Sequence, residues 1–395
     1  MEHCAVQELP RQDILREWWS EVKESFWGDT QPHIKQLLKE LMQRTLITEI
    51  EQLRRRDTAT DGPMAWRNGF YRRGLITRYG LIREIRVPRL RSGRFRTTIF
   101  RRYQRCEKLV EDLIRNIFLS GVSTRRVGAV VCALLETRIS SSTVSRLTKA
   151  LDEHVRRFHQ RTLLDEYQYL ILDGIRLKIR YNGTYHTRTV LVAYGITLFG
   201  QRVWLDFRHA KGESQTAWEA LLNSLYQRGL AGHHLKLIVM DGASGLRAAA
   251  ELVYPEANIQ RCWVHKLRNV ANVCPKKYHA CVRQARAIYL ADNRHQALAA
   301  FKYWKQAWRM RCPKAVASLE QDLEELLSFF DCPVEHRIKV RTTNAIERSF
   351  REVRRRTNVF SCFSNTASTD RIIYAIFTHL NNGWKDHPLD GFTQF

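Results

Sequence analysis

The chain has 395 residues, is 44% apolar, and carries 65 Lys and Arg against 40 Asp and Glu, a formal net charge of +25. This length allows two or three domains with a substantial core, and the apolar fraction excludes general disorder. The positive charge favours a nucleic-acid partner through phosphate neutralisation and counterion release, although ribosomal and membrane-surface proteins are equally basic.

The sequence also limits the compartment. No segment has the length and apolar purity of a transmembrane helix, and the start MEHCAVQELPRQD lacks the apolar core of a signal peptide. Nine cysteines without a repeated spacing favour reduced thiols. We expect a soluble cytoplasmic protein with no membrane partner.

The first predicted element is an N-terminal helical region over residues 1–56. Its apolar residues recur at helical spacing: Ile14, Trp18, Val22, Ile34, Leu37, Leu38 and Leu41. We expect this face to pack, within the chain or between subunits.

An arginine-rich segment follows over residues 57–108. From Arg54 to Arg105 the chain has 16 arginines, no lysine and three acids, a net charge of +13. Glycines and alternation in RYGLIREIRVPRLRSGRFRTTIF predict short strands and turns. Arginine suits bidentate contacts with phosphates and base edges, so we expect a DNA-binding arm that includes Arg72 and Arg73. A solvated basic face is the alternative.

Residues 109–160 predict a helix-turn-helix-like DNA-binding region. Two apolar faces flank the break TRISS: Val127, Val130 and Leu134 before it, then Val144, Leu147 and Leu151. The second helix, capped by Ser142 or Thr143, would enter the major groove. The basic residues expected to contact DNA here are Arg125, Arg126, Arg146 and Lys149. Plain helical packing gives the same pattern.

From residue 165 to 395 the pattern becomes mixed α/β. Three strands joined through the hairpin signal Tyr181-Asn182-Gly183 precede a helix opening near Ser214, then strand LKLIVMD, helix SGLRAAAELV and strand NIQRC. This is the order of the ribonuclease H-like fold. Amphipathic runs over about 270–335 predict a helical insertion into this domain.

Three acidic residues lie within or at the ends of predicted elements in the mixed α/β part of the chain. Asp173 lies in the first strand, Asp241 ends the fourth, and Glu347 lies near the start of a helix. Buried carboxylates are costly without a cation, and converging acids suit hard ions such as Mg²⁺. Taken singly, the Asp-Gly steps could be turn signals, and Glu347 could pair with Arg351 at i+4.

The chain resembles the mutator-type transposases of bacterial insertion sequences. The motifs that carry this likeness are, in order, WRNGFYRRGLITRYG, IFRRYQR, ILDGIRLKIR, VMDGASGLRAAAELVYP, QRCWVHKLRNV and RTTNAIERSFREVRRRT. The resemblance implies a ribonuclease H-like catalytic domain with an Asp-Asp-Glu triad, a helical insertion before the Glu, and metal-dependent strand transfer. Motif by motif, the triad falls on Asp173, Asp241 and Glu347.

The chemistry of such a triad assigns roles. Asp173 would bridge two Mg²⁺ or Mn²⁺ ions, with Asp241 on one and Glu347 on the other, for activation of water or a 3′-hydroxyl and stabilisation of the leaving oxygen. The family carries a Cys-x-x-His step like Cys262 and His265 near its active site. His265 would hold a phosphate or shuttle protons as a secondary catalytic residue. A structural histidine is the alternative, as is a zinc site with Cys274, His279 or Cys281.

The helix that contains Glu347 is amphipathic. Ile346, Phe350 and Val353 form its predicted buried side. The opposite side is basic, and the residues expected to grip DNA are Arg348, Arg351 and Arg355. A solvated surface is the alternative.

We therefore expect a DNA transposase that binds the terminal inverted repeats of its element and also target DNA. Pairing two ends implies at least a homodimer, acting at the bacterial nucleoid. A ribonuclease H-like nuclease or resolvase, or a non-enzymatic DNA-binding regulator, is the alternative. The regulator leaves the spacing of the acids unexplained.

Overall fold

The structure is a computed structural model of the chain. It describes residues 12–59, 66–91, 95–101, 103–120, 122, 124–135, 137–181, 184–357, 363 and 365–392, without the side chains of 12–29, 31, 57–59, 181, 345, 348, 356 and 357. The chain forms two compact units: Met1–Phe118 with Val122–Leu147, and Thr148–Phe395 with Leu119–Gly121. No described helix combines the length and apolarity needed to cross a membrane.

The first described element of the first unit is one long helix, within the region predicted to be helical. Helix α1 (Gln12–Ala59) packs on a hairpin of strands β1 (Arg67–Thr77) and β2 (Gly80–Leu90). The hairpin confirms that the arginine-rich segment contains strands, although both have 11 residues and are not short as predicted. Its core contains Leu46, Leu75, Ile82, Ile85, Val87 and Phe100. Leu37 and Leu41 are 69% and 60% exposed in the single chain, so the predicted packing of these two side chains is absent here.

Four helices follow: α2 (Lys108–Leu119), α3 (Thr124–Leu135), α4 (Ser141–Lys149) and α5 (Leu151–Gln160). The expected break between α3 and α4 is present. The predicted face of α3 was wrong in part, because Val131 and Leu135 are buried with Val127 while Val130 and Leu134 are exposed.

The predicted caps of α4 were also wrong. The cap is Ser140, whose Oγ accepts the Thr143 N–H at 3.2 Å, rather than Ser142 or Thr143. All three hydroxyls can cap, and the break at residues 137–140 decides which one precedes the helix.

The second unit contains a five-stranded mixed sheet with the order β5-β4-β3-β6-β7. Its strands are β3 (Tyr167–Tyr181), β4 (Thr184–Thr197), β5 (Arg202–Ala210), β6 (Leu237–Met240) and β7 (Asn258–Arg261). The first three are antiparallel neighbours, and β6 is parallel to both β3 and β7. The predicted turn at Asn182-Gly183 lies outside the described residues, although strands flank it as expected.

Helices cover the sheet. Helix α6 (Gln215–Gln227), capped by Ser214, buries Trp218, Leu221, Leu222 and Leu225 as predicted, and packs with α7 (Ser244–Val253). Helices α15 (Asn344–Thr357) and α16 (Thr366–Trp384) follow later in the chain. Phe377 of α16 stacks on Trp204 of β5 at 4.1 Å between ring centroids.

Between β7 and α15 the described chain is helical. The elements are α8 (Trp263–Val273), a 3₁₀ helix (Lys276–Tyr278), α9 (His279–Gln284), α10 (Arg286–Tyr289), α11 (Arg294–Trp308), α12 (Pro313–Gln321), α13 (Leu323–Leu327), a 3₁₀ helix (Ser328–Asp331) and α14 (Val334–Val340). The Cys-Pro pairs at 312–313 and 332–333 stand at helix starts, where proline costs no hydrogen bond.

Candidate active site

Asp173 lies within β3 with its carboxylate buried, since only 8% of the residue is exposed. Its Oδ1 accepts the Gly174 N–H at 2.7 Å. Burial, reinforced by Asp241 and Glu213, raises the pKa of Asp173 to about 7, although the Gly174 N–H and His265 favour the charged form. The ionised carboxylate therefore needs a further cation nearby.

Asp241 is brought beside Asp173 by the strand register. Ile171 of β3 pairs with Val239 of the parallel strand β6. The same register continued by two residues brings Asp241 opposite Asp173. Asp241 directly follows β6, and its Oδ1 accepts the Ala243 N–H at 3.0 Å. The two predicted acids are thus neighbours across adjacent strands.

Glu347 lies in the first turn of α15, whose start is attached to the start of α8. The N–H and Oγ1 of Thr343 donate to Cys262 Sγ at 3.3 and 3.4 Å, and all of these atoms belong to fully buried residues. The Trp263 N–H donates to the Arg341 carbonyl at 3.2 Å. These contacts hold the start of α15, and with it Glu347, against the start of α8.

The imidazole of His265 lies among the three predicted acids. Its Nε2 is 3.7 Å from Glu347 Oε1, and an Arg268 guanidinium nitrogen is 3.8 Å from the same oxygen. The neighbouring Cys262 sulfur, followed by Asp173 and Asp241, raises the pKa of His265 to about 9 against the opposing effect of burial. Nδ1 is buried and makes no hydrogen bond of standard geometry with any described residue, so Cys262 raises the pKa of His265 through its proximity. A charged ring thus partly neutralises the acids, and the alternative pairing of Glu347 with Arg351 is not formed.

A fourth carboxylate, Glu213, adjoins this group and was missed by the sequence analysis. A Cβ added at Gly174 would lie 2.9 Å from Glu213 Oε1, so the glycine leaves room for this side chain. Burial and Asp241 raise the pKa of Glu213, whereas Arg176 and His265 lower it. Glu213 directly precedes the cap of α6, where an acid is ordinary, so the sequence offered no separate signal.

The donor chemistry of these residues fits Mg²⁺ or Mn²⁺, which prefer carboxylate oxygens. Burial raises the pKa of Asp173, and a bound cation would favour its charged form. The carboxylate oxygens of Asp173, Asp241 and Glu347 do not all lie within 4.8 Å of one another. Within the described part of the chain, one group of three residues has all its potential ligand atoms within 4.8 Å, and it consists of Cys274, Cys281 and Cys312.

That cysteine group corrects one alternative from the sequence. A zinc site that joins Cys262 and His265 to Cys274, His279 or Cys281 is not assembled in the described residues, because the group includes neither Cys262 nor His265. Cys262 instead accepts hydrogen bonds from Thr343.

The basic residues predicted to contact DNA are mostly exposed. Those with exposed side chains are Arg72, Arg125, Arg126, Arg146, Lys149, Arg351 and Arg355. Arg73 is half-buried, with its guanidinium 4.0 Å from the Phe100 ring centroid and donating to the Gln104 carbonyl. The Arg348 side chain lies outside the described residues. On α15, Ile346, Phe350 and Val353 are buried as predicted.

A separate cavity of about 680 Å³ lies between the β6 end of the sheet and the second 3₁₀ helix, with Lys236, Tyr254 and Asp331 in its wall. None of the acids or basic residues discussed above lines it, so it has no part in the candidate site.

Residues 20–387 match the family model described as "Transposase, Mutator family". The chain belongs to this family of transposases. The transposase for insertion sequence element ISRM5 of Rhizobium meliloti (strain 1021) is 36% identical over 356 residues, 89% of each chain. The transposase for insertion sequence element IS256 in transposon Tn4001 of Staphylococcus aureus is 33% identical over 346 residues, 87% of each chain.

A third relative of this Mutator-family chain is the transposase for insertion sequence element IS406 of Burkholderia multivorans (strain ATCC 17616 / 249). It is 36% identical over 321 residues, 80% of this chain and 82% of that one. Family membership supports transposition of an insertion sequence as the function, with DNA as substrate and DNA cleavage and strand transfer as the general activity.

Proposed function

We propose that this Mutator-family transposase uses Asp173, Asp241 and Glu347 as a metal-binding Asp-Asp-Glu triad. It binds the terminal inverted repeats of its element, cuts DNA, and joins the resulting 3′-hydroxyl to a phosphodiester of target DNA. The observation that carries the proposal is that Asp173, Asp241 and Glu347 all lie close to the imidazole ring of His265.

The fold proposed for the catalytic part is ribonuclease H-like. Support comes from the strand order β5-β4-β3-β6-β7, with three antiparallel strands in chain order followed by two parallel ones. Further support comes from the helices α8 to α14, which stand between the second and third acids as a helical insertion.

Each carboxylate has a distinct part in the proposed site. Asp173 lies near both Asp241 and His265, so it would be the ligand shared by the two ions, and Asp241 and Glu347 would each hold one of them. Bound Mg²⁺ or Mn²⁺ would lower the pKa of the attacking water or 3′-hydroxyl and stabilise the leaving oxygen. Glu213 is half-buried beside Gly174, and its charge would add to the demand for cations at the site.

We assign His265 and Arg268 a role on the phosphate rather than on the ions. Both contact the same oxygen of Glu347 from α8. A cationic side chain at this position attracts a scissile phosphate, and His265 can hold or release a proton at Nε2.

DNA binding is assigned to the exposed basic residues. In the first unit these are Arg72, Arg125, Arg126 and Arg146, with Lys149 at the end of the same helix as Arg146. Arg351 and Arg355, with Arg348, would grip phosphates next to Glu347. Arg73 has protein partners of its own, and we assign it the support of the hairpin as well as DNA contact. Action on DNA implies a location at the bacterial nucleoid.

Two element ends must be paired, so we propose that the active form is at least a dimer. Leu37 and Leu41 lie one turn apart on α1 and expose 69% and 60% of their surface. Exposed leucines at this spacing suit a second copy of the same helix.

Labelled terminal repeats incubated with the purified protein and Mg²⁺ or Mn²⁺ test the proposal. Wild type should give cleaved and joined products, and Asp173→Ala should bind the repeats without cutting them. Asp386→Ala, which removes an exposed acid outside the group, is the control and should behave as wild type. If Asp173→Ala cleaves DNA as fast as wild type, the triad assignment is wrong. Hydrolysis without joining would favour a nuclease, and binding alone a regulator.

A further inference from the structure

Three cysteines from separate elements of the helical insertion meet in one buried cluster, here called the three-cysteine cluster. Cys274 follows α8, Cys281 lies in α9, and Cys312 directly precedes α12. Their Sγ atoms all lie within 4.8 Å of one another, and those of Cys274 and Cys312 are 3.5 Å apart. The three residues are 8%, 0% and 2% exposed.

These separations suit sulfurs that share one ion. Thiolates bound tetrahedrally to zinc at about 2.3 Å have their sulfurs roughly 3.8 Å apart. Small side-chain rotations therefore convert the observed arrangement into a coordinating one. Carboxylates and imidazoles of the described residues do not belong to the group. A set of thiolates alone selects soft or borderline ions such as Zn²⁺ over Mg²⁺.

The Cys312 side chain does not cap the helix that it precedes, whereas Cys274 Sγ donates to the Pro275 and Tyr278 carbonyls at 3.7 and 3.4 Å. Cys312 occupies the N-cap of α12, a position that favours Ser, Thr, Asp or Asn, yet it makes no side-chain cap bond. Its sulfur contacts Cys274 Sγ instead. The contact with Cys274, and not helix capping, therefore explains why a cysteine occupies position 312.

The surrounding structure is one that a covalent or metal link would stabilise. Lys276–Tyr278, α9 and α10 contain three, six and four residues. Helices this short are marginal alone.

We propose that Cys274, Cys281 and Cys312 bind one Zn²⁺ ion, with water as the fourth ligand, and that this ion links the end of α8 to α9 and to the start of α12. The site is structural, lies apart from the carboxylate group, and does not depend on the proposed catalytic triad.

The first test is the zinc content of the reduced full-length protein after dialysis with Zn²⁺ and removal of excess ion. We expect one tightly held Zn²⁺ per chain in wild type and in Asp173→Ala. Cys312→Ala should lower the zinc affinity by about a hundredfold or more. Cys332→Ala removes a buried cysteine outside the cluster and should retain the ion. No retained zinc in wild type, or equal loss in Cys312→Ala and Cys332→Ala, overturns the proposal.

The second test uses wild type alone, in case Cys312→Ala fails to fold. Thiol alkylation is followed residue by residue by mass spectrometry, with and without Zn²⁺, and Co²⁺ is added in place of zinc. We expect Zn²⁺ to protect Cys274, Cys281 and Cys312 while leaving Cys132 unchanged, and Co²⁺ to give intense thiolate-to-metal absorption. A Cys274–Cys312 disulfide in the native protein, or the absence of thiolate-to-metal absorption with Co²⁺, overturns it.

Discussion

The Nε2 atom of His265 lies 3.7 Å from Oε1 of Glu347, so the third acid is tied to the helix that begins directly after the edge strand β7. The link is reinforced by Cys262, three residues earlier, which accepts two hydrogen bonds from Thr343 at the base of α15. The Cys-x-x-His step therefore connects the sheet that carries two acids to the helix that carries the third.

His265 should make the stability of the metal-free protein depend on pH. Its pKa is raised from 6.5 to about 9 in the folded chain, so its charge stabilises the fold fully below about pH 6.5, and this contribution is lost as the pH rises through about 9. His265→Gln should lower the melting temperature most at the acid end of this window and least at the alkaline end. Thermal unfolding in EDTA measures the difference, and a gap that is constant with pH contradicts the assignment.

Asp173→Asn should stabilise the metal-free protein while abolishing DNA cleavage. The pKa of Asp173 is raised from 3.8 to about 7, so the cost of its buried charge appears above about pH 3.8 and is complete above about pH 7. We expect a melting temperature a few degrees higher at alkaline pH, with little change in acid. Lower stability of Asp173→Asn above pH 7 would mean that the carboxylate is not strained by burial.

Cys262 should act by positioning Glu347. Cys262→Ala leaves the Thr343 N–H and hydroxyl unpaired in a buried place, at a cost of about 1–3 kcal/mol. It should lower the rate of strand cleavage while leaving repeat binding unchanged. Cys262→Ser keeps an acceptor atom and should restore most of the rate. Equal rates for the Ala and Ser variants would exclude a positioning role.

The sheet and the first two acids could be predicted because they depend on local patterns. Apolar runs define β3 and β6, and the separation of Asp173 and Asp241 equals the offset of the Ile171–Val239 pair. The buried side of α15 also follows from periodicity, because charged residues occupy most of its other positions.

Other features could not be predicted, because local sequence patterns do not distinguish between the possible arrangements. Val130 and Val131 are adjacent and equally apolar, so periodicity did not identify the buried one on α3. Glu213 looked like an ordinary acid at a helix start. Cys312 reaches Cys274 across 38 positions, a contact created only by the packing of α8 against α12.

Arg351 should contribute more to DNA binding than Arg355. Both are exposed on α15, but Arg355 donates two hydrogen bonds to Glu352, at 3.0 and 2.7 Å. No hydrogen bond or ion pair of the Arg351 side chain is formed with the described residues. Arg351→Ala should reduce the slope of log affinity against log salt by about 1, and Arg355→Ala by less. Titrations of labelled DNA at several salt concentrations give both slopes, and a larger change for Arg355→Ala would reverse the ranking.

The central claim, that Asp173, Asp241 and Glu347 hold divalent ions together, is tested most directly by placing Fe²⁺ in the site. With ascorbate and peroxide, iron cleaves the polypeptide close to where it is bound, and the fragments can be mapped by mass spectrometry. We predict cuts near all three acids, suppressed by excess Mg²⁺ and missing in Asp173→Ala. Cuts that spare one of the acids, or that persist unchanged in Asp173→Ala, would contradict a shared metal site.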